Sequence, residues 1–417
     1  ELGAIYEGLL EYRLIVDDAA AGSVHLENDK GERRALGAYY TPNHIVHYIV
    51  EQTLSPILAE RETRYNTAMD ALAEGDETAA RTAVEALLNI KICDPAMGSG
   101  HFLVEAVDYL TDKVIAIIER RKLAKSEEDV AQNPILTLLE RIRQGIVDDM
   151  AAQGLTADPA ALTDTQLLMR VVMKRCIYGV DLNPLAVELA KLSLWLHTFT
   201  IGAPLSFLDH HLRRGNSLLG VMAREVIDEL GATLFGGPFA ELLQATGIMR
   251  EVSRLADATI SDVERSQALY ADFEAAVAPY KRLLDLWTSQ HFDNEEARNF
   301  LILYGVDALD VAQGKQKKID KRYREAFEQA QALRKRLHFF HWDLEFPEIF
   351  IDLERQNWAA SPGFDAVIGN PPYDELSQDA LGRPIEEKKF IKTQAIYEEA
   401  STYRINLYRL FMALGYH

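Results

Sequence analysis

The chain has 417 residues, 48% of them hydrophobic and 26% charged. This is ordinary globular composition, long enough for two or three domains or for one catalytic domain with large insertions. No run approaches the ~20 uninterrupted apolar residues of a membrane span, no basic segment followed by an apolar run marks a secretory signal, and two cysteines, Cys93 and Cys176, exclude a disulfide framework or a four-cysteine metal site. The net charge of −20 argues against a piece that grips nucleic acid tightly on its own, since Lys and Arg supply most of that affinity, but it leaves room for a locally basic groove or a basic partner.

A cytoplasmic location is the default expectation. The start, Glu1-Leu2-Gly3 without Met, reads as the beginning of an excised piece. Residues 1–16 carry apolar positions at helical spacing and predict a short helix. Ser23–Arg34 contains Asn28-Asp29-Lys30-Gly31, a turn signal that predicts a hairpin. Thr41-Pro42 predicts a helix start, with Thr41 as cap, Pro42 in the first helical position, and Ile45, Ile49 and Leu54 along one face. An acidic, Ala-rich helical stretch is predicted over roughly 60–88. Leu88–Cys93 is a short apolar run ending at Asp94-Pro95, as in a buried strand. Gly98-Ser99-Gly100 interrupts the pattern, and a helix follows from His101 to Arg121.

After a polar helical insert over roughly 125–172, the pattern repeats. It predicts a strand at Cys176–Val180, a cap at Asp181-Leu182-Asn183-Pro184, a helix carrying Leu185, Leu189, Leu192 and Leu196, and a third strand at Leu212–Leu219. Such alternation predicts a parallel, doubly wound α/β sheet. From Val221 to Leu337 the pattern is long and helical, which predicts an insertion outside the sheet. The last strand, Phe364–Ile368, runs into Gly369-Asn370-Pro371-Pro372-Tyr373. The expected division is therefore 1–36, an N-terminal helical and hairpin segment; 37–220, the sheet-bearing core; 221–340, the helical insertion; and 341–417, the last strand with its loop and the start of the remaining core.

Three junctions carry chemistry. In Asp94-Pro95-Ala96-Met97-Gly98-Ser99-Gly100 a strand turns into a helix, where glycines admit a ligand and the helix N-terminus offers free N–H groups. Such a turn can serve a dinucleotide or merely turn a corner, and it lacks the Lys-Ser/Thr ending of a phosphate-cradling loop. Asp181 ends the second strand, where a carboxylate can accept both hydroxyl protons of a ribose; Asp181 and Asn183 also suit helix capping. In Asn370-Pro371-Pro372-Tyr373 two prolines freeze the loop. The Asn amide oxygen, the Pro371 carbonyl and an aromatic ring then suit a planar amine: two acceptors for its protons and a ring to stack on. Other features carry less. Lys315, Lys317, Lys318, Lys321, Arg322 and Arg324, with Arg334, Lys335 and Arg336 beyond, read as a solvated helix face. His338 and His341 lack a matching pair of metal ligands, and no metal is expected.

Together these segments resemble the ordered motifs of amino-methylating DNA methyltransferases of restriction-modification type. Tyr39-Tyr40-Thr41-Pro42 resembles the N-terminal cofactor motif, and Asp94–Gly100 with His101-Phe102-Leu103 the Gly-rich motif. Gly179–Pro184, with Ala186 and Ala190–Trp195, resembles the ribose motif and its helix, Gly215-Asn216-Ser217-Leu218 the adenine-contacting motif, and Asn370–Tyr373 the catalytic one. The order, with Tyr40-Thr41-Pro42 first, is that of the γ group of N6-adenine methyltransferases. Phe340–Glu348 resembles a segment of fused type II restriction-methylation enzymes and of phage-defence methylases of the BREX and DISARM systems. Met97 departs from the small residue common in the family.

The resemblance implies a Rossmann-like class I methyltransferase fold, here with a partial sheet, that uses S-adenosylmethionine to methylate the N6 amine of an adenine flipped from double-stranded DNA. It implies Asp94, Pro95, Ala96, Gly98, Ser99, Gly100, Phe102, Asp181, Leu182, Asn183 and Asn216 around the cofactor, with Tyr40, Thr41 and Pro42 closing over its methionine part and Asn370 meeting it. Catalysis would fall to Asn370, Pro371, Pro372 and Tyr373. The family's sheet and target-recognition domain continue beyond Tyr373, so the rest of a larger polypeptide, or partner subunits, is expected. Cys93 and Cys176 read as buried small hydrophobes, which argues against C5-cytosine chemistry. Two other readings stay open: methylation of a protein glutamine or an RNA base by the same loop, and a cofactor-binding scaffold without catalysis in a defence complex.

Overall fold

The computed structural model describes residues 12–18, 23–28, 41–124, 133–156, 158–230, 239–315 and 319–417. Tyr12–Asp18 (β1) and Ser23–Asn28 (β2) pair antiparallel. The helix expected over 1–16 is thus replaced from Tyr12 onward by a strand, and residues 1–11 lie outside the described residues. β-Branched Ile15, Val16 and Val24 favour the extended form, and a cross-strand ladder outweighs a short helical pattern. The turn expected at Asn28–Gly31 falls, apart from Asn28, outside the described residues.

Asn43–Ala73 (α1) and Ala79–Leu88 (α2) replace the helix expected over 60–88, broken where Gly75 takes φ +101°. Pro42, not Thr41, holds the cap position of α1, and no side chain caps it. The buried stripe of α1 is Val46, Val50, Leu54 and Leu58, whereas Ile45 is exposed. Ile92–Asp94 (β3) follows, then His101–Ala124 (α3), Pro134–Ala152 (α4) and Asp164–Cys176 (α5). Ile177–Asp181 (β4), Pro184–His197 (α6) and Leu212–Arg214 (β5) complete the first half. β5 is shorter than the Leu212–Leu219 strand expected. Gly215 and Gly220 lie so close to Phe340 that a Cβ on either would meet it within 2.2 Å, so the chain bends there along residues 338–341 instead of extending.

The long helical stretch comprises Ala223–Leu230 (α7), Phe239–Arg254 (α8), Ile260–Ser289 (α9), Glu296–Tyr304 (α10), Ala308–Ala312 (α11) and Lys321–Leu337 (α12). Of the basic run, Lys317 and Lys318 lie outside the described residues, and α12 begins at Lys321. Trp342–Glu345 (α13) and Pro347–Phe350 (α14) lead to a small antiparallel pair, Ile351–Asp352 (β6) and Asn357–Trp358 (β7). Ala366–Val367 (β8) is followed by Gln378–Leu381 (α15), Glu387–Ile391 (α16) and Leu407–Tyr416 (α17).

β3, β4, β5 and β8 form one parallel sheet in the order β5-β4-β3-β8. Ile92 lies opposite both Ile177 and Ala366, and Cys93 opposite Tyr178 and Val367. Side chains alternate between two apolar layers, as the period-2 pleat requires. Ile92 and Ile177 join the core under α1–α6, while Cys93, Tyr178 and Val180 meet Phe340, Trp342 and Phe346 on the other face. A further core joins the helical stretch to the C-terminal segment, with Phe273, Leu284 and Phe300 in one layer with Leu219, Phe390 and Leu410. The chain leaves the sheet centre at β3, builds outward through β4 and β5, and then returns to β8 on the other side. That reversal makes the carboxyl ends of β3 and β8 a topological switch point, where open α/β sheets bind ligands. Among the described residues, no helix is long and apolar enough to cross a membrane.

Candidate functional site

The carboxyl ends of the four strands open on one cavity. After β3 the backbone turns through Gly98 (φ +52°) and Gly100 (φ +81°), conformations that disfavour any side chain. A Cβ on Gly100 would lie 3.1 Å from that of Ala190, so this glycine lets α6 approach the turn. Gly98 has open space on its Cβ side and donates its N–H to Asp181 at 2.9 Å. The other oxygen of Asp181 accepts from Asn183 N–H at 2.8 Å, and Asn183 in turn caps α6 through Leu185 N–H. Both oxygens of Asp181 thus serve the turns at the strand ends, and each keeps a lone pair for a further donor. Met97 folds its thioether onto Gly179 of β4, where no side chain competes for the space.

Asp94, Pro95, Ala96, Gly98, Ser99, Phe102, Asp181, Leu182, Asn183 and Asn216 line this cavity together with Thr41, Asn370 and Pro372. Asn370 Nδ2 donates to Thr41 Oγ1 at 3.0 Å. That bond accounts for the missing cap: the Thr41 hydroxyl serves the loop after β8 rather than its own helix. Gly369 (φ +152°) lets the chain leaving β8 pass close to the end of β3, since a Cβ there would fall 2.5 Å from Asp94 Oδ1. Ser217 Oγ donates to the Pro95 carbonyl at 2.6 Å and ties the β5 loop to the glycine turn. Four expected residues stand apart from the lining. Pro42 caps α1, Gly100 backs the turn against α6, Pro371 lies just outside, and Tyr373 is 59% exposed beside Tyr408. Tyr40 is outside the described residues.

Sequence reading missed the far wall. Asp374, Leu376, Leu381, Arg383, Glu387, Ile391, Leu407 and Phe411 all line the same cavity. One oxygen each of Asp374 and Glu387 is buried without a hydrogen-bond partner. Leu407 and Phe411 come from α17, whose apolar pattern carries no sign that it folds back over the site.

The electrostatics are acidic. Asp94, Asp181, Asp374 and Glu387 line the cavity against a single Arg383. Burial pushes the Asp94 carboxyl up to about 8, opposed by the Ala96 N–H it accepts and aided by the charge of Asp181. Burial also raises Asp181, against the hydrogen bonds from Asn183 and Gly98. Glu387 pairs with Arg383 at 2.6 Å and Asp94 is charged only above its raised value, so the remaining carboxylates favour a cationic, donor-rich ligand here. Burial raises Cys93 and Cys176 as well, leaving both protonated and unsuited to nucleophilic attack.

A parallel sheet with a glycine turn, a buried aspartate and an Asn-Pro-Pro-Tyr loop at its strand ends has the Rossmann-like methyltransferase fold. The sequence comparisons go further. Residues 175–417 match the Eco57I restriction-modification methylase family, and residues 72–217 match the DNA-methyltransferase domain of MmeI. The first match covers more than half of the chain, which therefore belongs to the Eco57I restriction-modification methylase family. A protein of Methanocaldococcus jannaschii, whose name assigns it to the type II restriction enzymes and methyltransferases, is 25% identical over 400 residues. That similarity covers 85% of this chain and 29% of the relative, so the chain spans less than a third of the curated relative it matches.

Proposed function

We propose that this chain transfers a methyl group from S-adenosylmethionine to the N6 amine of an adenine flipped out of double-stranded DNA, within a restriction-modification or phage-defence system. The observation that carries the reading is the common lining: the glycine turn after β3 and Asn370 after β8 border one cavity. The acidic lining and the unpartnered oxygens of Asp374 and Glu387 fit a cationic cofactor rich in N–H and O–H donors. The same reading keeps 37–220 as the cofactor-binding core, 221–340 as the insertion and 341–417 as the catalytic strand and loop. It takes the target-recognition part from the rest of a larger polypeptide or from partner subunits.

When bound, S-adenosylmethionine supplies an electrophilic methyl on a sulfonium. The chain's residues do the remaining work. Asp181 accepts from the ribose hydroxyls, Asn216 borders the cofactor's adenine, and Thr41 closes the methionine end with Tyr40 and Pro42. Asn370, with Nδ2 committed to Thr41, keeps its amide oxygen as an acceptor for one N–H of the target amine, and the Pro371 carbonyl accepts a hydrogen bond from the other. Accepting both protons favours the pyramidal amine and frees a lone pair that is otherwise delocalised into the ring. The gain is positional and electrostatic, with no covalent enzyme intermediate. Pro372 holds the loop, and exposed Tyr373 is free to stack on a base whose extrusion costs a few kcal/mol.

The test is incubation with tritiated cofactor and unmethylated DNA, followed by nucleoside analysis: label in N6-methyladenine is expected. Label in protein or RNA, or cofactor binding without transfer to any substrate, would overturn the assignment.

Two further outcomes follow from the carboxylates. Asp181→Asn removes a charged acceptor and is expected to weaken cofactor binding roughly 10–100-fold, from about 1.5–3 kcal/mol per hydrogen bond to a charged group, read by calorimetry. A cationic ligand favours ionised Asp94. Because burial holds that carboxyl near 8 in the free protein, binding should release a proton. Cofactor affinity should rise with pH by at most about tenfold per unit and level off above the raised value. Asp94→Asn should flatten the profile. For the free protein the sign is opposite: a raised carboxyl stabilises the fold fully below its unfolded value, and that contribution is lost as pH climbs toward about 8.

A further inference from the structure

The amino-terminal ends of the strands border a second hollow of about 430 Å³, at the opposite end of the sheet from the cofactor cavity. Lys91 enters β3 there, Arg175 precedes β4 and Asp365 precedes β8. At ~3.3 Å per residue, strands of this length separate the two sites by roughly 10–17 Å. Seven cationic and five carboxylate side chains line the hollow, in a chain whose net charge is −20.

The carboxylates are already engaged. Asp365 accepts from Arg61 and, at 2.8 Å, from Lys91 N–H. Glu85 pairs with Arg81 at 2.9 Å and Arg254 at 3.0 Å, and Glu354 stands 4.0 Å from Arg81. Asp352 accepts from the backbone of Glu354 and Arg355 and sits 3.7 Å from the Arg355 side chain. Glu348 accepts from the Tyr178 hydroxyl at 3.1 Å.

Four cations remain without a carboxylate in ion-pair reach among the described residues: Arg64, Lys91, Arg175 and Arg250. Lys91 Nζ donates to the Arg175 carbonyl at 2.8 Å, and Arg175 donates to the Arg254 carbonyl at 3.2 Å. Neither contact is to a carboxylate; Glu348 and Asp365 act on Lys91, and Glu85 on Arg175, only from beyond ion-pair reach. Burial lowers the pKa of both groups, the mark of cations held out of water. Collecting like charges in a partly desolvated hollow is unfavourable unless an anion arrives to offset them.

We propose that this hollow binds a phosphate-bearing anion, at a site separate from the methyl-transfer cavity. Three arginine forks and a lysine are suited to phosphate oxygens, which an arginine engages in pairs and a lysine as a point charge. The phosphate could belong to a free di- or triphosphate or to a DNA backbone.

The test is calorimetric titration of the chain at low ionic strength with inorganic pyrophosphate, and separately with a double-stranded oligonucleotide, for the unaltered protein and for Arg64→Gln/Arg250→Gln. Saturable 1:1 binding of pyrophosphate is expected. The double variant should weaken it at least about tenfold, from the loss of hydrogen bonds to a charged group, with S-adenosylhomocysteine affinity unchanged. If the oligonucleotide displaces pyrophosphate, the source is a DNA backbone; if it does not, the source is a free phosphate, and either result supports the site. Absence of saturable pyrophosphate binding, or equal binding by the variant, overturns it. Should the double variant fail to fold, Arg250→Gln alone carries the same comparison.

Discussion

Replacing Asn370 by alanine is expected to lower the rate of DNA methylation about 10²–10³-fold, the loss seen when one aligned transition-state partner is removed, with the affinity for S-adenosylmethionine nearly unchanged. The side chain contributes twice. Its Nδ2 donates to Thr41 Oγ1 at 3.0 Å, which fixes the amide plane, and its oxygen is the acceptor that the proposal assigns to the amine. Alanine removes both. Asn370→Asp keeps an acceptor but loses the donor to Thr41, so it should retain more activity than alanine. Single-turnover methylation with saturating cofactor measures the rate, and calorimetry with S-adenosylhomocysteine measures the binding. A large fall in binding would instead make Asn370 part of the cofactor site alone.

Glu345→Ala is expected to destabilise the fold by about 3–5 kcal/mol, because it strands buried cations without their counter-charge. Glu345 is 6% exposed and pairs with Arg213 and, at 2.9 Å, with Lys281. Burial alone would raise its pKa, but Lys281 and Arg213 pull it well below the usual carboxylate range. Glu274 reaches Arg213 at 2.9 Å and Lys281 at 3.2 Å and is about a third exposed, too open to replace it. The cluster joins β5, α9 and α13, so its loss separates the helical stretch from the sheet. Denaturant unfolding followed by circular dichroism reads the effect. A change below about 1 kcal/mol would place the weight of that junction on its apolar contacts instead.

The sheet was legible because its signals are local. Asp94-Pro95 and Asp181–Pro184 each end an apolar run and start a helix, and such junctions survive in any tertiary setting. The cavity was half legible for the same reason, since the glycine turn, Asp181, Asn216 and Asn370 sit at strand ends. What local pattern could not give were contacts between distant segments. Leu185, Leu192 and Leu196, carried on α6, are exposed; Ala186, Val187, Ala190 and Leu194 are buried instead, because the close approach of Gly100 to Ala190 favours small side chains there. Thr41 looked like a cap until Asn370, 329 positions away, claimed its hydroxyl. The wall formed by Leu376–Phe411 gave no signal, since an amphipathic helix does not announce which surface it covers.

His341 has partners at both ring nitrogens. One ring nitrogen engages the backbone of Val221 and the other faces Asp285 at 3.3 Å. The side chain thereby locks Phe340–Glu348 between the sheet and the helical stretch.

The sharpest test is a crystal structure of the chain with sinefungin, whose amine replaces the transferable methyl group. The amine is predicted to lie roughly 3–4 Å from the Asn370 side chain, as reacting groups must, with the ribose on Asp181 and the chain of Gly98 beside it. A ligand bound at Asp181 with its amine well out of hydrogen-bond reach of Asn370, and no closing movement to join them, would contradict the shared cleft and the chemistry assigned to it.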